Sequence, residues 1–153
     1  MDEIDHVAHV IEDLETTLEA FTTAADSEHV WTTESEEWQY RTAYMLAGSD
    51  MFTLITLLSA ESFIADYLNR HGPGLHHIGV NVTDLDSRIE QLTAAGGEVV
   101  MEDTIPGVRD EATLHPRSWF GLQLQLIEWD EEVGSSARAH IEALRAAKED
   151  GRS

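Results

Sequence analysis

The sequence predicts an α+β fold built from two β-α-β-β-β modules, and three features predict it. The first is an internal repeat. A shift of 71 residues lays Ile4-Asp5-His6-Val7-Ala8 over Leu75-His76-His77-Ile78-Gly79, and Asp13-Leu14-Glu15 over Asp84-Leu85-Asp86. A period near half the chain length means two copies of one supersecondary unit rather than a solenoid. The second is that each copy opens on a short Val- and Ile-rich run, residues 4–11 and 75–82, which reads as a strand. The third is that each run leads into an aspartate followed by apolar residues at helical spacing: Leu14, Leu18 and Phe21 in the first copy, Leu85, Ile89 and Leu92 in the second.

Asp13 and Asp84 are N-caps on this reading, because a carboxylate accepts the unpaired backbone N–H groups that open a helix. Gly96-Gly97 stops the second helix. Three further strands follow each helix, at about 28–33, 38–46 and 51–58, then at about 98–101, 111–115 and 121–129. The modules thus span 4–58 and 75–129. Phe63, Ile64, Tyr67 and Leu68 form the apolar stripe of a connector helix over 60–71, ended by Gly72-Pro73-Gly74. A last helix over 135–149, capped by Ser135 or Ser136, carries a thin stripe of Ala137, Ile141 and Leu144. A chain of 153 residues is expected to form one domain over 1–153, with a core large enough to need no staples.

Composition narrows the function classes. There is no cysteine, which excludes disulfides and thiolate metal sites. No basic segment precedes an apolar run at the N-terminus and no apolar run approaches membrane-spanning length, so the expected location is cytoplasmic. Thirty acidic residues against nine basic ones give a formal charge of −21, and Lys148 is the single lysine. Such a surface repels nucleic acid and anionic lipid, so neither is an expected partner. The acids are dispersed along the chain without a block. They read as a halophilic, salt-adapted surface, the other reading being recruitment of a basic partner.

The candidate chemistry lies on the first strand of each copy. Side chains alternate across a strand, so His77, Gly79 and Asn81 share one face, opposite the apolar Ile78, Val80 and Val82. The His77 face suits a ligand, and the opposite face suits a helix. His6 and His77 hold equivalent places in the repeat, and a pseudo-twofold would bring them to one divalent metal, for which imidazole is a common ligand. A lone histidine at a strand start is ordinarily a hydrogen-bonded structural residue; the repeat is what raises this pair above that reading. His9 and His76 are read as structural residues or as supports behind the ligating pair. In the last strand of the second copy Gln123, Gln125 and Ile127 face away from Leu122, Leu124 and Leu126, so the glutamines line either a cavity or solvent.

The paired modules, with "IDHVAHVIEDLE", "IADYLNRHGPGLHHIGVNVTDLD" and "LHPRSWFGLQLQLIE", resemble the vicinal-oxygen-chelate (glyoxalase, bleomycin-resistance and dioxygenase) superfamily, with the strongest likeness to methylmalonyl-CoA epimerases. The resemblance covers about 4–129. It implies a glyoxalase-like mixed sheet curved into a cup around one divalent metal, Co, Mn, Ni, Zn or Fe. It carries the metal ligands to His6, His77, Thr53 and Gln125. Thr53 stands where the family has Gln or Glu, and Gln125 where it has Glu. Gln125 cannot exchange a proton, and a set without an anionic ligand holds a cation more weakly.

The resemblance further implies an isomerase or lyase that moves a proton beside a carbonyl through a metal-stabilised enolate, by epimerase-like or glyoxalase-like chemistry. Gln125 and an acid/base glutamate near Glu36 or Glu37 would serve it, with Glu37 favoured. The substrate would be a small molecule, an acyl-CoA or a 2-oxo compound, with Arg109 and Arg117 as candidate phosphate contacts, and the protein a homodimer. The alternative is a metal-free, bleomycin-resistance-like binding protein, for which Trp31, Trp38 and Trp119 would line the site. A dioxygenase relative would need two histidines and a carboxylate, a set the sequence does not complete.

Overall fold

The computed structural model describes residues 2–153. The elements run β1 (Glu3–Val10), α1 (Leu14–Thr23), β2 (Glu28–Ser35), β3 (Tyr40–Ala47), β4 (Asp50–Leu57), α2 (Phe63–His71), β5 (Gly74–Asn81), α3 (Leu85–Ala94), β6 (Val99–Ile105), β7 (Arg109–Leu114), β8 (Leu124–Trp129) and α4 (Ala137–Glu149). The expected α+β order, β-α-β-β-β twice with a connector helix and a C-terminal helix, is therefore present.

The chain divides into two compact units, Val7–His76 and Met1–His6 with His77–Ser153. The divisions fall inside β1 and β5, so His6 is grouped with the second half of the chain rather than the first.

Within Val7–His76 the strands run in the order β2-β3-β4-β1. The β2–β3 and β3–β4 pairs are antiparallel, with Thr53 opposite Tyr44. Asp13 caps α1 by accepting the Thr16 N–H at 2.7 Å. Helix α1 lays Leu14, with Leu18 and Phe21 at its margin, on Ile11, Ala43, Met45 and Leu54. Helix α2 is capped by Ser62, and its Ile64 packs on Ala8, Val10 and Ile55.

In the other unit the order is β5-β8-β7-β6, with the start of β1 beside β5. Strands β5 and β8 are parallel, with Gly79 opposite Gln125, and β6–β7 and β7–β8 are antiparallel. Asp84 caps α3 through the Ser87 N–H. The expected apolar face of β5 meets this helix: Val82 joins Leu85, Ala112, Leu114, Leu124 and Leu126 in one buried cluster, against which Val80, Ile89, Leu92 and Trp119 pack. Burying a leucine fully is worth about 1.5–3 kcal/mol, so these few side chains carry much of the unit's stability. A Cβ on Gly97 would stand 2.5 Å from Leu114 Cδ2 and 2.9 Å from the Leu92 carbonyl oxygen, so only glycine lets the chain leave α3 this closely.

Strand ends depart from expectation where polarity misleads. Strands were expected at about 98–101 and 111–115, but β6 runs on to Ile105 and β7 begins at Arg109, so the two form a hairpin with a short turn. Glu102, Asp103 and Thr104 look like loop residues because β6 lies at the sheet edge with most of its side chains in solvent.

Candidate metal and ligand site

His6 and His77 come together. Their Nε2 atoms are 3.1 Å apart, their ring planes are perpendicular, and His6 is 7% exposed. Gly79 makes this possible. An ideal Cβ there would fall 2.5 Å from His6 Cε1 and Nδ1, so the His6 ring occupies the space a side chain would take. The small residue beside His77, expected to leave room for a ligand, leaves room for the other histidine.

On its far side His6 Nδ1 donates to Asp5 Oδ1 at 2.7 Å. Asp5 is buried, with a side chain 0% exposed, and its Oδ2 accepts from Trp129 Nε1 at 2.6 Å and lies 3.3 Å from His140 Nδ1. Burial alone pushes this carboxyl up, but the hydrogen bonds from His140, His6 and Trp129, with the charge of His6, outweigh it and hold Asp5 well below the usual carboxylate range. An ionised Asp5 can only accept, so His6 carries a proton on Nδ1 and its Nε2 is the nitrogen that faces His77. No signal in the repeat singles out Asp5, because its equivalent in the second copy is His76. His76 is half-buried with its imidazole pushed to a lower pKa by desolvation, and it packs against the rings of Phe63 and Tyr67, as befits a structural residue.

Gln125, on β8 beside Gly79, donates from Nε2 to Glu111 Oε2 at 3.1 Å. Glu111 is buried and also accepts from Arg109 Nη2 at 2.8 Å. A carboxylate cannot donate, so the Gln125 amide is fixed with its Oε1 as the end turned away from Glu111. Glu111 has no equivalent acid in the first copy and follows Arg109 and Asp110 in a stretch that reads as a charged surface, which is why pattern reading passes over it. Arg109, expected as a phosphate contact, is committed inside: it pairs with Glu111 and lies 5.4 Å over the Trp129 ring, with its Nε buried and unpartnered. Arg117 is exposed in the 116–118 turn, where His115 Nδ1 accepts the Arg117 N–H and Ser118 ties the turn to Glu98.

Two expected site residues belong to the other compact unit. Thr53 is buried in β4, 4% exposed. Glu37 lies in the β2–β3 turn and is exposed. Of the tryptophans, Trp31 stacks on Tyr44, Trp38 is 55% exposed, and Trp119 packs on the α3 core.

Two nitrogens bound to one ion at about 2.0–2.1 Å stand about 3 Å apart, so the His6–His77 separation fits joint ligation, and a carboxylate behind a ligating imidazole is the usual support. Among the described residues no group of three or more His, Asp or Glu side chains is arranged to hold a metal ion, so further donors would have to be amide, hydroxyl, water or substrate oxygens. No helix among them is long and apolar enough to cross a membrane.

Residues 5–114 match the model of the Glyoxalase/Bleomycin resistance protein/Dioxygenase superfamily, and the chain belongs to that superfamily. Solved structures of the same fold include a hypothetical protein, BH1468, from Bacillus halodurans C-125, at 22% identity and TM-score 0.78 over 88% of this chain and 99% of that one. Methylmalonyl-CoA epimerase from Mycobacterium tuberculosis is 23% identical, with TM-score 0.72 over 82% of this chain and 86% of its own. A variant of Streptomyces coelicolor methylmalonyl-CoA epimerase in complex with 2-nitronate-propionyl-CoA is 24% identical, with TM-score 0.71 over 82% and 95%. Comparison with curated proteins returns no match.

Proposed function

We propose that this protein is a divalent-metal-dependent enzyme that moves a proton beside the carbonyl of a small acyl-CoA thioester or 2-oxo compound. The observation that carries the reading is the convergence of His6 and His77 Nε2 at 3.1 Å with Asp5 behind His6. The ion would be Co, Mn, Ni, Zn or Fe, each of which accepts imidazole ligands. A divalent ion there would supply Lewis acidity, polarising a substrate carbonyl and making the adjacent C–H more acidic. His6 and His77 would hold it, with Gln125 Oε1 and the Thr53 hydroxyl as the neutral donors of the set. Glu111 keeps the Gln125 amide oriented. Since Gln125 cannot exchange a proton, the base role falls to a carboxylate, and we assign it to Glu37, which in its exposed turn can trade protons with water.

Superfamily membership and the fold shared with methylmalonyl-CoA epimerases, one of them in complex with methylmalonyl-CoA and NH4+, support an acyl-CoA substrate. With Arg109 engaged internally, Arg117 is the remaining candidate for a phosphate contact. The dispersed acids suit a protein working in the cytoplasm at high salt, as a homodimer.

The incomplete anionic ligand set favours one other reading, a metal-free protein that binds a small molecule on the same fold. Elemental analysis of protein purified without chelator separates the two. Near-stoichiometric metal that disappears in His77→Ala supports the enzyme, and a site still empty after equilibration with excess metal supports the binder. Solvent deuterium entering methylmalonyl-CoA, lost in Glu37→Gln, is the expected activity; no exchange above background ends the epimerase reading.

A further inference from the structure

We infer that the C-terminal helix α4 sets the ligating form of His6, through His140, Trp129 and Asp5. The superfamily match ends at residue 114, so Trp129 and α4 lie beyond it. Yet both deliver a nitrogen to the one carboxylate that holds His6.

The geometry runs outward from that carboxylate. Asp5 Oδ1 is taken by His6 Nδ1 at 2.7 Å. Oδ2 is shared by Trp129 Nε1 at 2.6 Å, from the end of β8, and His140 Nδ1 at 3.3 Å, from the first turns of α4. The His140 ring is itself fixed twice. Its Nε2 lies 3.1 Å from the Gly134 carbonyl oxygen, and its plane stacks on Trp129 with centroids 3.9 Å apart at 11°. Ser136 caps α4 by accepting the Ala139 N–H, and Ile141, Leu144 and Ala147 are buried beneath it, so the helix is a rigid support.

A carboxylate with one partner can rotate about its Cβ–Cγ bond. One held through both oxygens by groups from three elements cannot, and it presents Oδ1 to His6 in one orientation. His6 then keeps a proton on Nδ1, which leaves Nε2 as the nitrogen that can bind a cation. His140 and Trp129 are thus positioning residues. A merely structural tie would dock the helix and leave the His6 ring indifferent to it.

The consequence for metal affinity rests on the metal reading of the site; the consequence for the His6 tautomer does not. The test uses full-length, metal-free protein with 15N-labelled histidine. His140→Phe keeps the ring stack and deletes both nitrogens, Trp129→Phe keeps a ring and deletes Nε1, and the exposed Glu142→Gln on the same helix is the control. The expected result is a single Nδ1–H tautomer of His6 in the parent and control, a mixture of tautomers in both variants with helix content retained, and cobalt(II) affinity lower on the order of 10-fold in each by calorimetry. An unchanged His6 tautomer in both variants, or a parent His6 protonated on Nε2, overturns the inference. If the parent binds no divalent metal, the enzyme reading fails alone and the tautomer measurement still decides this one.

Discussion

Gly79 shows how much rests on a missing Cβ. The His6 ring lies where an alanine methyl would be, 2.5 Å from two of its atoms, so Gly79→Ala must displace the ring or the strand. Overpacking of this kind costs about 1–3 kcal/mol, so urea unfolding should show a lowered midpoint with unchanged slope. The same variant should lose bound metal even though both histidines remain, because their Nε2 atoms can no longer meet. Asp5 makes the complementary point. Removing it leaves the Trp129 Nε1–H and His6 Nδ1–H buried without an acceptor, at about 1–3 kcal/mol for each unsatisfied group, so Asp5→Ala should be among the most destabilising single changes in the chain by thermal unfolding. Sequence repeat exposed His6 and His77 because two copies placed them in register. It hid Asp5 and Glu111 because neither has a matching acid in the other copy, and their roles arise from neighbours far along the chain, Trp129 and His140 for one, Arg109 for the other.

At the scale of elements, the caps were legible, while the end of β6 and the start of β8 were not. Asp13 and Asp84 cap their helices as the local chemistry requires, since the capping bond joins residues three apart. The Thr16 N–H, bonding the Asp13 carboxylate, holds that carboxyl below its ordinary value. A depressed folded-state value means stability that is complete above the ordinary carboxylate range and is lost as pH falls through the folded value. Helix α1 should therefore fray as acid is added, and Asp13→Asn, which keeps a capping oxygen, should remove that acid-dependent part from the amide exchange of residues 15–17. Helix α4 looked thin by its apolar stripe of Ala137, Ile141 and Leu144. Its buried face includes His140, which a hydrophobic pattern counts as polar and the structure uses as a stacking and hydrogen-bonding group. Ser136→Ala should cost about 1 kcal/mol in thermal stability by removing the cap that starts this helix.

For the whole molecule the charge of −21 dominates behaviour in solution. Arg41–Glu34, Arg145–Glu149 and Arg152–Asp150 are exposed pairs of little consequence, and most acids have no basic residue to meet. Salt screens this repulsion within a few ångströms, so thermal midpoints should climb as potassium chloride rises from about 0.1 M, where the Debye length is about 10 Å, toward 1 M, where it is about 3 Å. A midpoint insensitive to salt would remove the salt-adapted reading of the surface.

The sequence alone determined the order of elements, the repeat, the helix caps and the two histidines, because periodicity, capping and duplication are written between residues close in sequence or equivalent by copy. Only the tertiary structure decided what those histidines rest on. Asp5, Trp129 and His140 meet across more than a hundred residues, and Glu111 is turned from a buried charge into a holder of Gln125 by an arginine two residues away on the same strand face. Burial and pairing of charged groups depend on which side chains end up within a few ångströms of each other, and that distance is a property of the folded chain.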